Sequence, residues 1–217
     1  MSPGRPVVVY GFDPLCGWCF GFGPAFAEVR ATLADEVDFV LACGGLVTGE
    51  RVRPVAADAG YLRAGLVRVE AATGVRAGPG FDALLERGTW VSDSEPVCRA
   101  LYVARETAGD GPAIELGAAL SRAFYVDGAE PDDPQVLRRL ADGVRLDGEV
   151  LVERWSGPDA RRGTAAWFAR SRAAGVRTYP SLLVPLGGAL LPLLEGVAPA
   201  ADVVAAIRAA VVEPRAG

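Results

Sequence analysis

Two cysteines separated by two residues, Cys16 and Cys19, are the side chains best suited to do chemistry in this chain. They follow a short β-branched and aromatic run, Val7 to Tyr10, and precede an apolar segment that predicts a helix ending near Leu33. A C-x-x-C pair placed between a strand and a helix is typical of a thioredoxin-like redox motif. Backbone N–H groups and the helix dipole stabilise a thiolate at a helix N-terminus. We therefore expect Cys16 to be the attacking nucleophile and Cys19 the resolving thiol.

The composition excludes several other chemistries. The chain of 217 residues has no His, and all 22 basic residues are Arg. Without His there is no Ser-His or Cys-His pair, and without Lys there is no P-loop and no Schiff base. The four cysteines contain only one C-x-x-C, so we expect no metal site and no bound cofactor other than a redox-active disulfide. The net charge of −5 argues against nucleic acid or an anionic membrane as a partner.

The order of predicted elements indicates an α/β protein with a thioredoxin-like fold. A β-α-β unit covers residues 7–43, and two strands (181–185 and 189–194) precede an amphipathic helix over 199–212. Between these halves the sequence predicts helices separated by Gly, Pro and Asp turns, over residues 55–73, 95–108, 114–126, 134–142, 147–155 and 160–174. The expected organisation is a core half over 1–50, an all-helical insertion domain over 51–174 and a second core half over 175–217.

Two helix starts in the insertion carry recognisable capping patterns. Ser94-Glu95-Pro96 places a hydroxyl just before a proline in a first turn, and Asp132-Asp133-Pro134 places carboxylates there. We expect these polar side chains to cap the helices that follow.

A second chemical element, Thr178-Tyr179-Pro180, lies immediately before the third core strand. Combined with the strand-turn-CxxC-helix opening, it predicts a cis peptide bond before Pro180. Such a bond would hold the Tyr179 backbone beside Cys16, where an extended substrate segment can pair with it. We therefore expect Trp18, Thr178, Tyr179 and Pro180 to form the substrate-binding surface.

Further candidates surround the redox pair. Asp13 precedes Cys16 by three residues, and it can relay the proton of the resolving thiol or cap the active-site helix. Cys43 ends the second predicted strand, at the sheet edge where Cys16 is expected, so it is a candidate auxiliary thiol, alone or paired with Cys98. The alternative for Cys43 and Cys98 is a purely structural role as small buried apolar side chains. Arginines near the active-site end could steer an anionic thiol such as glutathione; they are Arg51, Arg53 and Arg177.

Four segments of the chain resemble the DsbA family of thioredoxin-fold proteins, and its FrnE-like branch of cytoplasmic disulfide isomerases in particular. The matching segments are Asp13-Pro14-Leu15-Cys16-Gly17-Trp18-Cys19, Gly44-Gly45-Leu46, Ser94-Glu95-Pro96-Val97-Cys98-Arg99-Ala100 and Gly175-Val176-Arg177-Thr178-Tyr179-Pro180-Ser181. The resemblance implies thiol-disulfide oxidoreductase or isomerase chemistry on protein or small-molecule thiols and disulfides. It also implies Cys16 as nucleophile, Cys19 as resolver and Pro180 as the cis-proline.

Two alternatives stay open at this point. The chain is similar in architecture to kappa-class glutathione transferases and hydroxychromene-carboxylate isomerases, which have Ser where Cys16 stands and bind glutathione. A non-catalytic thioredoxin-fold adaptor is the other alternative. The first residues show no secretory signal, so we expect a cytoplasmic protein; the sequence does not indicate its oligomeric state.

Overall fold

A computed structural model describes residues 4–212 of the chain. Its strands are β1 (Val7–Gly11), β2 (Asp38–Ala42), β3 (Arg53–Pro54), β4 (Val91–Ser92), β5 (Ser181–Leu186) and β6 (Ala189–Glu195). Its α-helices within that range are α1 (Gly17–Thr32), α2 (Ala59–Thr73), α3 (Pro79–Arg87), α4 (Ser94–Ala108), α5 (Asp110–Arg122), α6 (Pro134–Gly143), α7 (Gly148–Ser156), α8 (Pro158–Ala173) and α9 (Ala200–Val212).

The main sheet has the strand order β2-β1-β5-β6. β1 and β2 are parallel and are joined by α1, whereas β1 with β5 and β5 with β6 are antiparallel. Parallel neighbours need a crossover connection, and α1 supplies it. The thioredoxin-like fold with a large helical insertion, predicted from the sequence, is therefore confirmed.

Alternate residues of β1 enter two different apolar clusters. Val8 and Tyr10 are buried in the main core together with residues of α1 and the insertion, whereas Val9 belongs to a smaller cluster on the opposite face. This alternation follows from the two-residue period of a strand. Because both faces of β1 are covered, the turn that follows it is held firmly at the edge of the sheet.

The insertion differs from the sequence prediction in three places. The two-residue strands β3 and β4 pair antiparallel, so the insertion is not entirely helical. The nine-residue helix α3 was not predicted, and the predicted helix over 114–126 is α5 followed by a π-helix over Ala123–Asp127. Strands of two residues are too short to show an alternation of apolar and polar residues. The glycines at 78 and 80 disfavour a helix prediction at the start of α3. Within residues 4–212, no helix is both long enough and apolar enough to cross a membrane.

Candidate active site

Cys16 is the N-cap residue of α1, at the point where the chain leaves β1. Its own N–H donates to the Asp13 carbonyl at 3.0 Å, and its carbonyl accepts from Phe20 N–H at 3.0 Å. No side chain caps this helix, so the first-turn N–H groups stay available to the cysteine itself. Cys16 therefore stands at the helix N-terminus, where the sequence predicts it.

Two side chains from the insertion fix the loop just before Cys16. The Tyr125 hydroxyl donates to the Leu15 carbonyl at 2.6 Å, and Ser121 Oγ donates to the Pro14 carbonyl at 2.7 Å. All of these groups are buried. The insertion therefore determines where the backbone presents Cys16.

The loop before β5 supplies the other side of the site. The Tyr179–Pro180 peptide bond is cis, and Cys16 Sγ donates to the Tyr179 carbonyl at 3.3 Å. Thr178 is exposed, and its hydroxyl donates to Glu195 at 2.7 Å. The structure thus brings Tyr179 into contact with Cys16 and engages Thr178 with β6.

Cys19 lies one turn further along α1 and is 1% exposed, compared with 4% for Cys16. Burial raises the pKa of the Cys19 thiol well above its usual value, and the neighbouring Cys16 raises it further. The free thiols of these two residues interact directly. A buried thiol of raised pKa behind a helix-terminal cysteine is suited to act second in a two-thiol reaction.

Asp13 is completely buried, and its carboxylate contacts the thiol of Cys98, whereas the sequence predicted a partner in Cys19. Its carboxylate accepts from Leu15 N–H at 3.0 Å and Leu46 N–H at 2.8 Å, and Cys98 Sγ lies 3.7 Å from Oδ2. Burial raises the pKa of this carboxyl, although the hydrogen bonds oppose the shift. Asp13 does not cap α1, so the capping interpretation is wrong, and the role as a proton relay for Cys19 stays a prediction.

Cys43 and Cys98 form a second, buried pair of free thiols. Both are 0% exposed, and their side chains interact with one another. Burial raises the pKa of both thiols. The expectation of buried small side chains is confirmed, and an auxiliary redox role stays a prediction. Across the described part of the chain, no group of three or more His, Cys, Asp or Glu side chains is arranged to hold a metal ion.

A cleft of about 480 Å³ opens beside Cys16, between the core and the insertion. Half-buried Trp18 and Tyr179 line it together with apolar residues of α2. Three guanidinium groups also line it, from Arg51, Arg53 and Arg68, but Arg53 is engaged by Asp58. Of the arginines predicted from the sequence, Arg51 and Arg53 line the cleft, and Arg177 does not.

Sequence reasoning missed three contributors to this site. Ser121 and Tyr125 act on the loop from a distance of more than one hundred residues along the chain, so no local pattern indicates them. Arg68 stands on α2, whose position against α1 follows only from the fold. The sequence predicts the helices that carry these residues, over 55–73 and 114–126, but not their position against the loop before Cys16.

The chain has a thioredoxin-like fold with a large helical insertion, and its C-x-x-C pair stands at the start of α1. No family model and no curated protein matches the chain. Solved structures do: the cytosolic disulfide reductase DsbM from Pseudomonas aeruginosa has a TM-score of 0.79 at 27% identity, covering 96% of this chain and 100% of that chain.

The same DsbM solved with GSH has a TM-score of 0.76 at 27% identity, covering 95% of this chain and 99% of that chain. A protein proposed to be a disulfide isomerase, from Nitrosomonas europaea, has a TM-score of 0.80 at 22% identity and covers 97% of this chain and 100% of its own. These neighbours confirm the DsbA-like resemblance, and the assignment to the FrnE-like branch stays a prediction.

Proposed function

We propose that this protein is a thiol-disulfide oxidoreductase or isomerase in which Cys16 attacks and Cys19 resolves. The observation that carries the proposal is the position of Cys16. Its sulfur stands at the N-terminus of α1, lines the 480 Å³ cleft and lies 3.3 Å from the Tyr179 carbonyl, while Cys19 is buried one turn behind it.

The reaction consists of two exchange steps. The Cys16 thiolate attacks one sulfur of a substrate disulfide, so the substrate S–S bond breaks, one thiolate leaves and a mixed disulfide with Cys16 forms. Cys19 then loses its proton and attacks Cys16 Sγ, which releases the second substrate thiolate and leaves the Cys16–Cys19 disulfide. The substrate gains two electrons and the protein loses two; the reverse sequence oxidises a substrate dithiol.

We propose roles for the residues around Cys16 from their positions in the cleft. The loop before β5 presents the Tyr179 carbonyl toward Cys16, and an extended substrate segment would pair with this backbone. Trp18 would cover the apolar part of the substrate. Asp13 would accept the Cys19 proton through the buried polar cluster that it shares with Cys98.

Glutathione is the small-molecule thiol that we propose as co-substrate. Arg51 and Arg68 line the cleft, and neither makes an ion pair with a carboxylate of the described residues. Their positive charge suits the carboxylates of a small anionic thiol. The DsbM neighbour solved with GSH and described as cytosolic supports both this co-substrate and a cytoplasmic location.

The test is to trap the intermediate. Cys19→Ser removes the resolving thiol, so oxidised glutathione should convert this variant to a stable glutathione adduct on Cys16, measured by intact mass and peptide mapping. Cys16→Ser should form no adduct, and Cys43→Ser, a matched control at another buried thiol, should behave like the wild type. An adduct at any cysteine other than Cys16 would refute the assignment of the nucleophile.

A glutathione-dependent transferase or isomerase is the second candidate, favoured by the arginine-lined cleft. That chemistry needs bound glutathione but no resolving thiol. Turnover with glutathione that survives Cys19→Ser would therefore favour it over the oxidoreductase. Partner binding that survives the loss of both cysteines, without any turnover, would indicate an adaptor.

A further inference from the structure

A second cavity, of about 590 Å³, lies between α1 and α5 and shares no lining residue with the active-site cleft. Aromatic side chains of β1, of the turn after it and of α1 form its apolar wall, namely Tyr10, Phe12, Phe20 and Phe26. Cys19 also lines it, whereas Cys16 lines the cleft. Its volume lies within the range of about 300–1,000 Å³ that is usual for small-molecule sites.

The polar residues of this cavity are strongly biased toward positive charge. Four arginines line it, Arg30, Arg76, Arg122 and Arg145, against the single carboxylate of Glu115. This bias occurs in a chain whose net charge is −5. Arg30 lies 3.9 Å from Glu115, and Arg76 pairs at 2.6 Å with Glu70.

Arg122 and Arg145 make no ion pair and no side-chain hydrogen bond with any of residues 4–212. Two guanidinium groups beside an apolar cavity, without a protein partner, provide the electrostatic complement of an anion.

The backbone at Arg145 gives an independent indication. Arg145 has a φ of 63°, and it is the one residue other than glycine with positive φ in the described part of the chain. It follows the end of α6, where Arg145 N–H donates to the Asp142 carbonyl and Leu146 N–H to the Ala141 carbonyl. Glycine is the residue favoured at such a left-handed position. An arginine here is disfavoured by the backbone, which suggests a benefit from its side chain.

We propose that the cavity between α1 and α5 binds a small aryl carboxylate or sulfonate. The flat apolar body would lie against the aromatic wall, and the acidic group would bind Arg122 and Arg145 through charge-assisted hydrogen bonds. If the proposed function holds, the ligand also acts on Cys19, because Cys19 lines the same cavity and the bound ligand places apolar surface against the resolving thiol. Resolution of the Cys16 mixed disulfide should then slow several-fold.

Binding is tested first, on the reduced full-length protein, and it does not depend on redox activity. Fluorescence titration with 8-anilinonaphthalene-1-sulfonate should show one saturable site whose affinity falls with added salt. The double variant Arg122→Glu/Arg145→Glu should weaken binding at least about tenfold, consistent with charge-assisted pairs. Ala118→Phe, which fills the cavity from an exposed position on α5, should abolish it.

Matched controls separate binding in this cavity from a general effect of surface charge and from binding in the active-site cleft. Arg154→Glu reverses one charge, half of the change in the double variant, at an exposed arginine that lines neither cavity, and it should change the affinity by less than about twofold. Arg145→Gly should weaken binding without lowering the thermal midpoint, because glycine relieves the left-handed backbone. Equal losses in Arg154→Glu, or loss of binding in Arg68→Glu instead of the double variant, would overturn the proposal.

The effect of the ligand on Cys19 is measured in a separate experiment. When reduced protein is mixed rapidly with oxidised glutathione, the rate at which Cys19 resolves the transient Cys16–glutathione adduct should fall several-fold with ligand bound in the wild type and stay unchanged in the Ala118→Phe variant. Binding with an unchanged rate would refute the effect on Cys19. Absence of any adduct would instead refute the proposed function and leave the binding site standing.

Discussion

Removing one hydroxyl from the insertion should loosen the active-site loop. Tyr125 is 1% exposed and its ring is packed among Phe20, Phe81 and Phe124. Tyr125→Phe keeps this packing but leaves the buried Leu15 carbonyl without its hydrogen bond of 2.6 Å. An unsatisfied buried group of this kind costs about 1–3 kcal/mol. We therefore expect the free energy of unfolding to fall by that amount.

The assay is urea unfolding followed by circular dichroism. With an m value of about 2 kcal/mol/M, the midpoint should fall by about 0.5–1.5 M with m unchanged. The matched control is Tyr61→Phe, because Tyr61 is 72% exposed and its hydroxyl makes no hydrogen bond with the described residues; its midpoint should stay constant. The rate of Cys16 alkylation should also change in Tyr125→Phe, since the carbonyl lies one residue before the nucleophile. Equal midpoints for Tyr125→Phe and the wild type would refute the tethering role of the insertion.

Three further predictions concern buried groups. Burial raises the pKa of the Asp13 carboxyl, so the folded state binds the carboxyl proton more tightly than the unfolded state does. Protonation of Asp13 therefore stabilises the folded protein most at acid pH, and this stabilisation is lost as the pH rises through the raised pKa. The unfolding free energy of the wild type relative to Asp13→Asn should therefore decrease from about pH 4 upward, and a constant difference would contradict this. Gly44→Ala should reduce the rate of disulfide exchange, because its new Cβ overlaps the Tyr179 hydroxyl; unchanged kinetics in a stopped-flow assay would show that Tyr179 moves freely. Cys43→Ala should cost about 1 kcal/mol in urea unfolding and leave the redox equilibrium of the active-site pair unchanged, whereas a shifted equilibrium would assign Cys43 a redox role.

The core elements around the site were predictable from the sequence because they depend on local patterns. The β-branched and aromatic run of β1, the C-x-x-C and the amphipathic α9 each fall within a short segment. The cap at Asp133 was equally visible, and its carboxylate accepts from Gln135 and Val136 N–H groups as expected.

Neighbouring polar residues show where local patterns are insufficient. Ser94 was expected to cap α4, but Asp93 does so, and the Ser94 hydroxyl accepts from Val47 N–H at 2.9 Å. Asp132, expected at the start of α6, accepts from Trp90 Nε1 at 2.7 Å. In both cases the side chain bonds to a partner more than forty residues away, so the pairing depends on the tertiary fold and not on the local sequence.

The central claim is that Cys16 and Cys19 form a reversible redox pair, and a redox equilibrium against glutathione tests it most directly. The state of the pair is followed by Trp18 fluorescence and by alkylation with mass mapping. We predict a two-electron transition between about −120 and −270 mV, with the disulfide joining Cys16 to Cys19. The absence of that disulfide, or a stable glutathione adduct in its place, would contradict the account.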